Sequence, residues 1–326
     1  MDIKQLRPIS PEEHPVSLRR YLLPTESIDY IYAMVTKVIN RKDTGLVVYG
    51  NPRYGKTRSI LYCEKMLKVE FPDMPVRVFS LPKELNASEG KFFSLFLSAV
   101  QHAETGGTIA DKRIRLANHI IGAGSETPRR VFVLFIDEAQ KLGEIHYEWL
   151  RDIYDQAELK GVTLLVVLVG QLELHAQKRT YVERKRPADI AIVSRFMIFE
   201  MRYRGIRSFE DFATCLDCYD TFVYPANSGW TFTKFFMPTA FESGFRLKTC
   251  ARVLWDTFKE LSDGLQITSE FEIPMKYFTK SIEILLCEHP ECDVTNFALT
   301  SGTCKQVITE SWYLSSMDDF RDMGVV

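Results

Sequence analysis

Long apolar runs are missing from this chain. No stretch approaches the ~18 consecutive apolar residues of a membrane-spanning helix, so a helical membrane protein is excluded as a reading. The opening MDIKQLRPISPEEHPV is polar and proline-containing, without the apolar core of a secretory leader, and a cytosolic location is expected. Cysteine is sparse. Seven in an odd, irregular scatter point to reduced thiols and not to a disulfide framework. Charge of one sign is also lacking: the formal net charge is −2, so any nucleic-acid contact must come from a local basic surface. Internal repeats, low-complexity tracts and HExxH-type ligand spacings are absent. Cys215 and Cys218 form a CxxC and CEHPEC adds Cys287, His289 and Cys292, but the first pair lies inside a helical apolar pattern. Core or surface thiols are therefore expected there, and no zinc.

What is present is a chain of 326 residues, 46% hydrophobic and 26% charged, enough for about two domains with full cores. Its organising stretch is LVVYGNPRYGKTRS, from Leu46 to Ser59. An apolar strand ends in Gly50, GNPRYGKT fits GxxxxGK[ST], and the helical pattern of Ile60, Leu61, Met66 and Leu67 follows. Such a loop turns successive backbone N–H groups toward one anion. Gly50, Asn51, Pro52, Arg53, Tyr54, Gly55, Lys56, Thr57 and Arg58 are the candidate nucleotide-binding residues. Lys56 can reach the outer phosphates and the Thr57 hydroxyl can ligate Mg²⁺. Tyr54 is bulky for this kind of loop.

Along the rest of the chain, residues 1 to about 16 read as a flexible arm, followed by an amphipathic helix carrying Ile28, Ile31, Val35 and Val38. VRVFSLP reads as a short strand, SEGKFFSLFLSAVQHA as a helix, and TIADKRIRLANHIIGAG as a helix bearing Lys112, Arg113 and Arg115. VFVLFIDEAQ and VTLLVVLVGQ are unbroken apolar strands with polar residues at their carboxyl ends, the pattern of a parallel sheet covered on both faces. HAQKRTYVERKRP reads as a basic connector and RFMIFEM as the last strand. The expected architecture is an arm over 1–30, an α/β domain with a mostly parallel five-stranded sheet over 31–203, and a helical domain with a short tail over 204–326.

Asp137 and Glu138 end the strongest strand. Asp137 is expected to hold Mg²⁺ through its water shell, and Glu138 to deprotonate the attacking water. Gln171 ends the next strand, where its amide can touch the γ-phosphate. Arg195, in IVSRF, is a candidate arginine finger acting across a subunit interface, in competition with Arg179, Arg184 and Arg186. Arg246 can reach the nucleotide from the helical domain.

Taken in order, GNPRYGKT, VFVLFIDEAQ, LLVVLVGQ, VSRF and GFRLKTCARVL resemble Walker A, Walker B, sensor 1, arginine finger and sensor 2 of an AAA+ P-loop ATPase, over about residues 30 to 270. Within that group, IDEAQKL and VGQLEL look like the TnsC/TniB transposition regulators. The resemblance implies an ATP- and Mg²⁺-dependent homo-oligomer, ring or filament, on duplex DNA, linking a target-selecting protein to a transposase. It places sequence-independent DNA contacts in a segment comparable to Thr108, Lys112, Arg113 and Arg115. A replication initiator, a helicase loader, or a nucleotide-gated scaffold without turnover are the alternatives.

Overall fold

The computed structural model describes residues 6–82, 88–265 and 270–324. They divide into two compact units: residues 28–52 with 56–203, and the opening segment through 27 with 53–55 and everything from 204 onward.

The first unit is an α/β layer around a five-stranded, wholly parallel sheet of β1 (Gly45–Tyr49), β2 (Val76–Ser80), β3 (Val131–Asp137), β4 (Thr163–Gly170) and β5 (Phe199–Arg202), in the order β2-β3-β4-β1-β5. Every residue of β3 is buried, and in β4 only Thr163 is not. A strand covered on both faces has no solvated side, which is why these segments read as continuous Val, Leu, Ile and Phe. The covering helices are α1 (Glu26–Arg41), α2 (Lys56–Glu70), α3 (Glu89–Ala99), α4 (Ile109–Ser125), α5 (Glu144–Leu159), α6 (Leu172–Arg184) and α7 (Pro187–Phe196). With all strands parallel, the carboxyl ends of β1, β3 and β4 open on one edge and bring Gly50, Asp137 and Gln171 to it.

Two local expectations change here. The stretch expected as a basic connector is the helix α6, and Arg195, the first residue of the stretch expected as the last strand, lies in the last turn of α7, with the strand starting only at Phe199. Only Leu174 and Tyr181 of α6 are buried, too thin an apolar stripe to register as a helical period. Pro187 then starts α7 at a position where its missing N–H costs nothing.

The second unit is helical: α8 (Phe209–Thr221), α9 (Phe232–Phe236), α10 (Pro238–Glu242), α11 (Ala251–Asp263), α12 (Met275–Glu288), α13 (Ser301–Glu310) and α14 (Tyr313–Asp322). Phe212, Leu216, Tyr219, Leu254, Phe258, Phe278 and Ile282 belong to its apolar core. From residue 6 onward, the opening segment is part of this unit and not a loose arm; residues 1–5 lie outside the described residues. Val16 and Leu23 belong to the same core. His14 is fully buried, stacked on Phe235 at 4.4 Å between centroids and edge-on to Phe232 and Phe236 at 4.8 and 4.9 Å. Cys215, Cys218 and Cys292 are buried in this unit, and among the described residues no His, Cys, Asp and Glu gather as a metal site. No described helix is long and apolar enough to cross a membrane.

Candidate nucleotide site

Two chemical demands meet where β1 turns into α2: the chain must reverse tightly, and a cation must be held close to main-chain atoms. Gly55, at φ +107°, supplies a backbone conformation that side chains resist. Lys56 opens α2 and is buried; its Nζ donates to the carbonyls of Gly50 and Asn51, both at 2.7 Å. Burial pulls its ammonium down to about 8, against the attraction of Asp137, Glu138 and Glu173. Thr57 follows, and its hydroxyl donates to the Asp137 carboxylate at 2.7 Å. Asp137 is buried, which raises its pKa; the Thr57 hydroxyl and the Glu138 N–H, donating to Asp137 Oδ1 at 3.0 Å, oppose that rise. Tyr54 is buried and Arg58 faces outward from the first turn of α2.

Glu138 is the left-handed residue at the end of β3, with φ 60° and ψ 32°. Its carboxylate accepts from the Gln140 amide at 3.1 Å and lies 3.5 Å from Lys141 Nζ. The other end of the Gln140 amide accepts from the backbone N–H of Gln171 at 3.3 Å. Gln140 therefore joins the ends of β3 and β4, a role given to no residue by the sequence pattern. The one trace of it was a polar side chain two positions after the acidic pair in IDEAQ.

A hydroxyl and a carboxylate at hydrogen-bond distance are a pair of hard oxygen donors, the ligand type Mg²⁺ prefers. A buried ammonium beside them suits the outer phosphates, and a carboxylate one residue further along is placed to take a proton from water. The residues present thus fit Mg²⁺ and a nucleoside triphosphate.

The remaining candidates are engaged elsewhere. The Arg195 guanidinium donates to Asp155 at 3.3 Å and lies over the Tyr154 ring. Of its rivals, Arg186 grips the fully buried Asp189 through two bonds of 2.8 Å, and Arg184 reaches Glu144 at 2.6 Å; exposed Arg179 lies 3.9 Å from Glu183. Arg246 is held inside the helical unit, donating to the carbonyls of Phe241 at 2.8 Å and Phe245 at 2.6 Å, 3.4 Å above the Phe241 ring. Thr108 caps α4 by accepting from the Asp111 N–H at 3.2 Å. On α4, Lys112 donates to the Gly90 carbonyl at 3.3 Å, Arg113 pairs with Glu89 and Asp152, and Arg115 pairs with Glu104 at 3.2 Å and donates to the Gly106 carbonyl at 2.8 Å.

Residues 39–177 match the family model described as an AAA domain. Over that span the chain is similar to an AAA domain. That span runs from α1 past β4 and contains the phosphate loop, Asp137, Glu138 and Gln171. Among solved structures, Drosophila ORC bound to DNA matches with 12% identity over 96% of this chain and 70% of that one, at a TM-score of 0.51. Cdc6p from Pyrobaculum aerophilum matches at 10% identity over 99% and 90%, TM-score 0.48. Domain III of the Thermotoga maritima replication initiation protein DnaA matches at 10% over 93% and 98%, TM-score 0.44. At 12% identity the likeness to ORC is one of fold and, with the matched domain, gives the AAA+ P-loop fold with a helical C-terminal region. No curated protein matches the chain in sequence.

Proposed function

We propose that this chain is an ATP-hydrolysing AAA+ protein that works in the cytosol as an oligomer on duplex DNA. The observation that carries the reading is the Thr57 hydroxyl on the Asp137 carboxylate at 2.7 Å, next to the buried Lys56. In this reading Thr57 and Asp137 would hold Mg²⁺, which would supply charge neutralisation to the triphosphate. Lys56 binds the outer phosphates, and the loop residues Gly50 to Arg58 cradle the chain of phosphates with their N–H groups. Glu138 takes the proton of the attacking water, Gln171 reads the γ-phosphate, and Arg195 completes the site of a neighbouring protomer. Arg246 contributes from the helical unit once its bonds to Phe241 and Phe245 are exchanged. On α4, Thr108, Lys112, Arg113 and Arg115 meet the DNA backbone by trading their present partners for phosphate.

The finer reading is a regulator of DNA transposition that couples a target selector to a transposase. It rests on the IDEAQKL and VGQLEL forms of the two strand ends. A second reading, an initiator or helicase loader, is favoured by the fold likeness to Drosophila ORC across 96% of this chain. Both readings share the ATPase core. ATP turnover measured with and without duplex DNA tests that core: DNA-stimulated hydrolysis is expected, lost in Lys56→Ala with binding and lost in Glu138→Gln without loss of binding. Normal turnover in Glu138→Gln removes the general-base assignment, and ATP binding with no turnover in wild type leaves a nucleotide-gated scaffold.

A further inference from the structure

We propose that the helical unit carries a phosphate-contacting surface of its own, a basic row of Arg53, Lys276, Lys280 and Arg19 that takes the backbone of one strand of duplex DNA. The proposal rests on the DNA association inferred above, and puts a contact on residues other than those of α4.

The row is built along one side of α12. The Lys276 N–H donates to the Arg53 carbonyl at 3.2 Å, which fixes Arg53 at the first turn. Lys280 follows one turn later on the same side. Three residues on, Glu283 holds the Arg19 guanidinium at 3.2 Å. From 276 to 283 the helix rises about 10 Å, and successive phosphates of one strand advance about 3.4 Å along the duplex axis, so the row spans about three such steps.

Most of its charge is not neutralised from within. Glu283 answers Arg19, but among the described residues no carboxylate pairs with Arg53, Lys276 or Lys280. Burial lowers the Lys276 ammonium, and the charges of Arg53, Lys280 and Arg19 lower it further, the mark of like charges crowded together. Arg113 and Arg115 of α4, by contrast, are already matched by Glu89, Asp152 and Glu104. Arg19 and Arg53 also sit at φ 53° and 69°, where glycine would relax the backbone, so their side chains are kept at a conformational cost. Arg53, Lys276 and Lys280, crowded together without a carboxylate partner among the described residues, form a stable arrangement when an external polyanion supplies the missing charge.

The test uses the full chain with a labelled duplex of random sequence and a non-hydrolysable ATP analogue, with anisotropy followed over a salt series. Lys276→Gln with Lys280→Gln is expected to lower duplex affinity about tenfold and to make the slope of log K against log salt shallower by about 1.8, two phosphates' worth of counterions. ATP-analogue affinity and thermal unfolding should stay at wild-type values, and the paired Lys→Arg variant should bind as wild type does. If wild type binds DNA and the Gln variant keeps its affinity and slope, the row is overturned while the DNA reading stands. A parallel Lys112→Ala, Arg113→Ala variant that alone loses binding overturns the row in the same way. Loss of ATP-analogue affinity with unchanged DNA affinity assigns the row to nucleotide and also overturns the proposal, and a wild type that binds no duplex overturns both readings.

Discussion

The side-chain amide of Gln140 donates to the Glu138 carboxylate at 3.1 Å while its oxygen accepts from the Gln171 N–H at 3.3 Å. Gly170 leaves room for this, since a Cβ there would stand 2.6 Å from Gln140 Oε1. The amide thereby orients the proposed base and ties it to the strand end proposed to read the γ-phosphate. Gln140→Ala should change kcat for ATP severalfold and leave KM within about twofold, because no ground-state contact to the nucleotide is removed. Gln140→Glu is sharper: a second carboxylate beside Glu138 raises the pKa of the pair, so the acid limb of the kcat profile should move to higher pH. An unmoved profile in Gln140→Glu would show that the Gln140 contact does not bear on the base.

Lys56 predicts a pH dependence of both stability and binding. Its ammonium is pulled to about 8 in the folded protein, below the ordinary lysine value of about 10.4. Between those values the unfolded chain holds the proton and the folded one does not, so stability rises with pH there and the cost of burying the charge is felt below about 8. Lys56→Met should therefore be more stable than wild type at pH 7 by up to roughly 3 kcal/mol, a gap that closes by about pH 10. Phosphates restore the charged form, so ATP binding at about pH 9 should take up protons, measurable by titration calorimetry in buffers of different ionisation enthalpy. Equal heats in all buffers would contradict it.

His14 works in the acid range. Burial among Phe232, Phe235 and Phe236, with Arg7 adding to it, lowers the imidazole to about 4, and Nε2 meets no hydrogen-bond partner among the described residues. The unfolded chain takes a proton near 6.5 and the folded one does not. Stability is thus lost as pH falls from about 6.5 to 4, by up to roughly 3 kcal/mol. Replacement by phenylalanine should flatten that part of the denaturation profile. A variant with the same acid sensitivity as wild type would place the titrating group elsewhere.

The parts legible in the sequence are those whose chemistry is local. A strand buried on both faces writes itself as an apolar run, so β1, β3 and β4 could be read, and the polar residues after them marked the site. Lys56 and Thr57 are fixed by a turn only eight residues long. What escaped depends on distant partners. His14 looks like a residue of a polar arm until Phe232 and Phe235 close around it from more than two hundred positions away. The cations of α4 look available until Glu89, Glu104 and Asp152 arrive from other segments. Gln140 acts by bridging two strand ends, and no spacing rule records that.

Arg195 gives the last prediction. Its ion pair with Asp155 is partly exposed, at 31% and 43% side-chain exposure, and pairs of that kind contribute about 1 kcal/mol or less. A bond from guanidinium to a phosphoryl oxygen is stronger, so a neighbouring protomer's γ-phosphate can draw Arg195 away from Asp155 at little cost. Arg195→Ala should then reduce hydrolysis by about 10³-fold, in the range of arginine fingers, with nucleotide affinity nearly unchanged. Asp155→Asn should retain full activity, since it only removes the competitor. Mixing separates a role in trans from a structural one. Arg195→Ala protein keeps an intact phosphate loop and Lys56→Ala protein keeps an intact arginine, so a mixed oligomer contains some complete sites and should recover part of the wild-type rate. If the mixture stays inactive while wild-type turnover depends on protein concentration, Arg195 serves its own fold through Asp155 and Tyr154, and the residue reaching across the interface is another arginine.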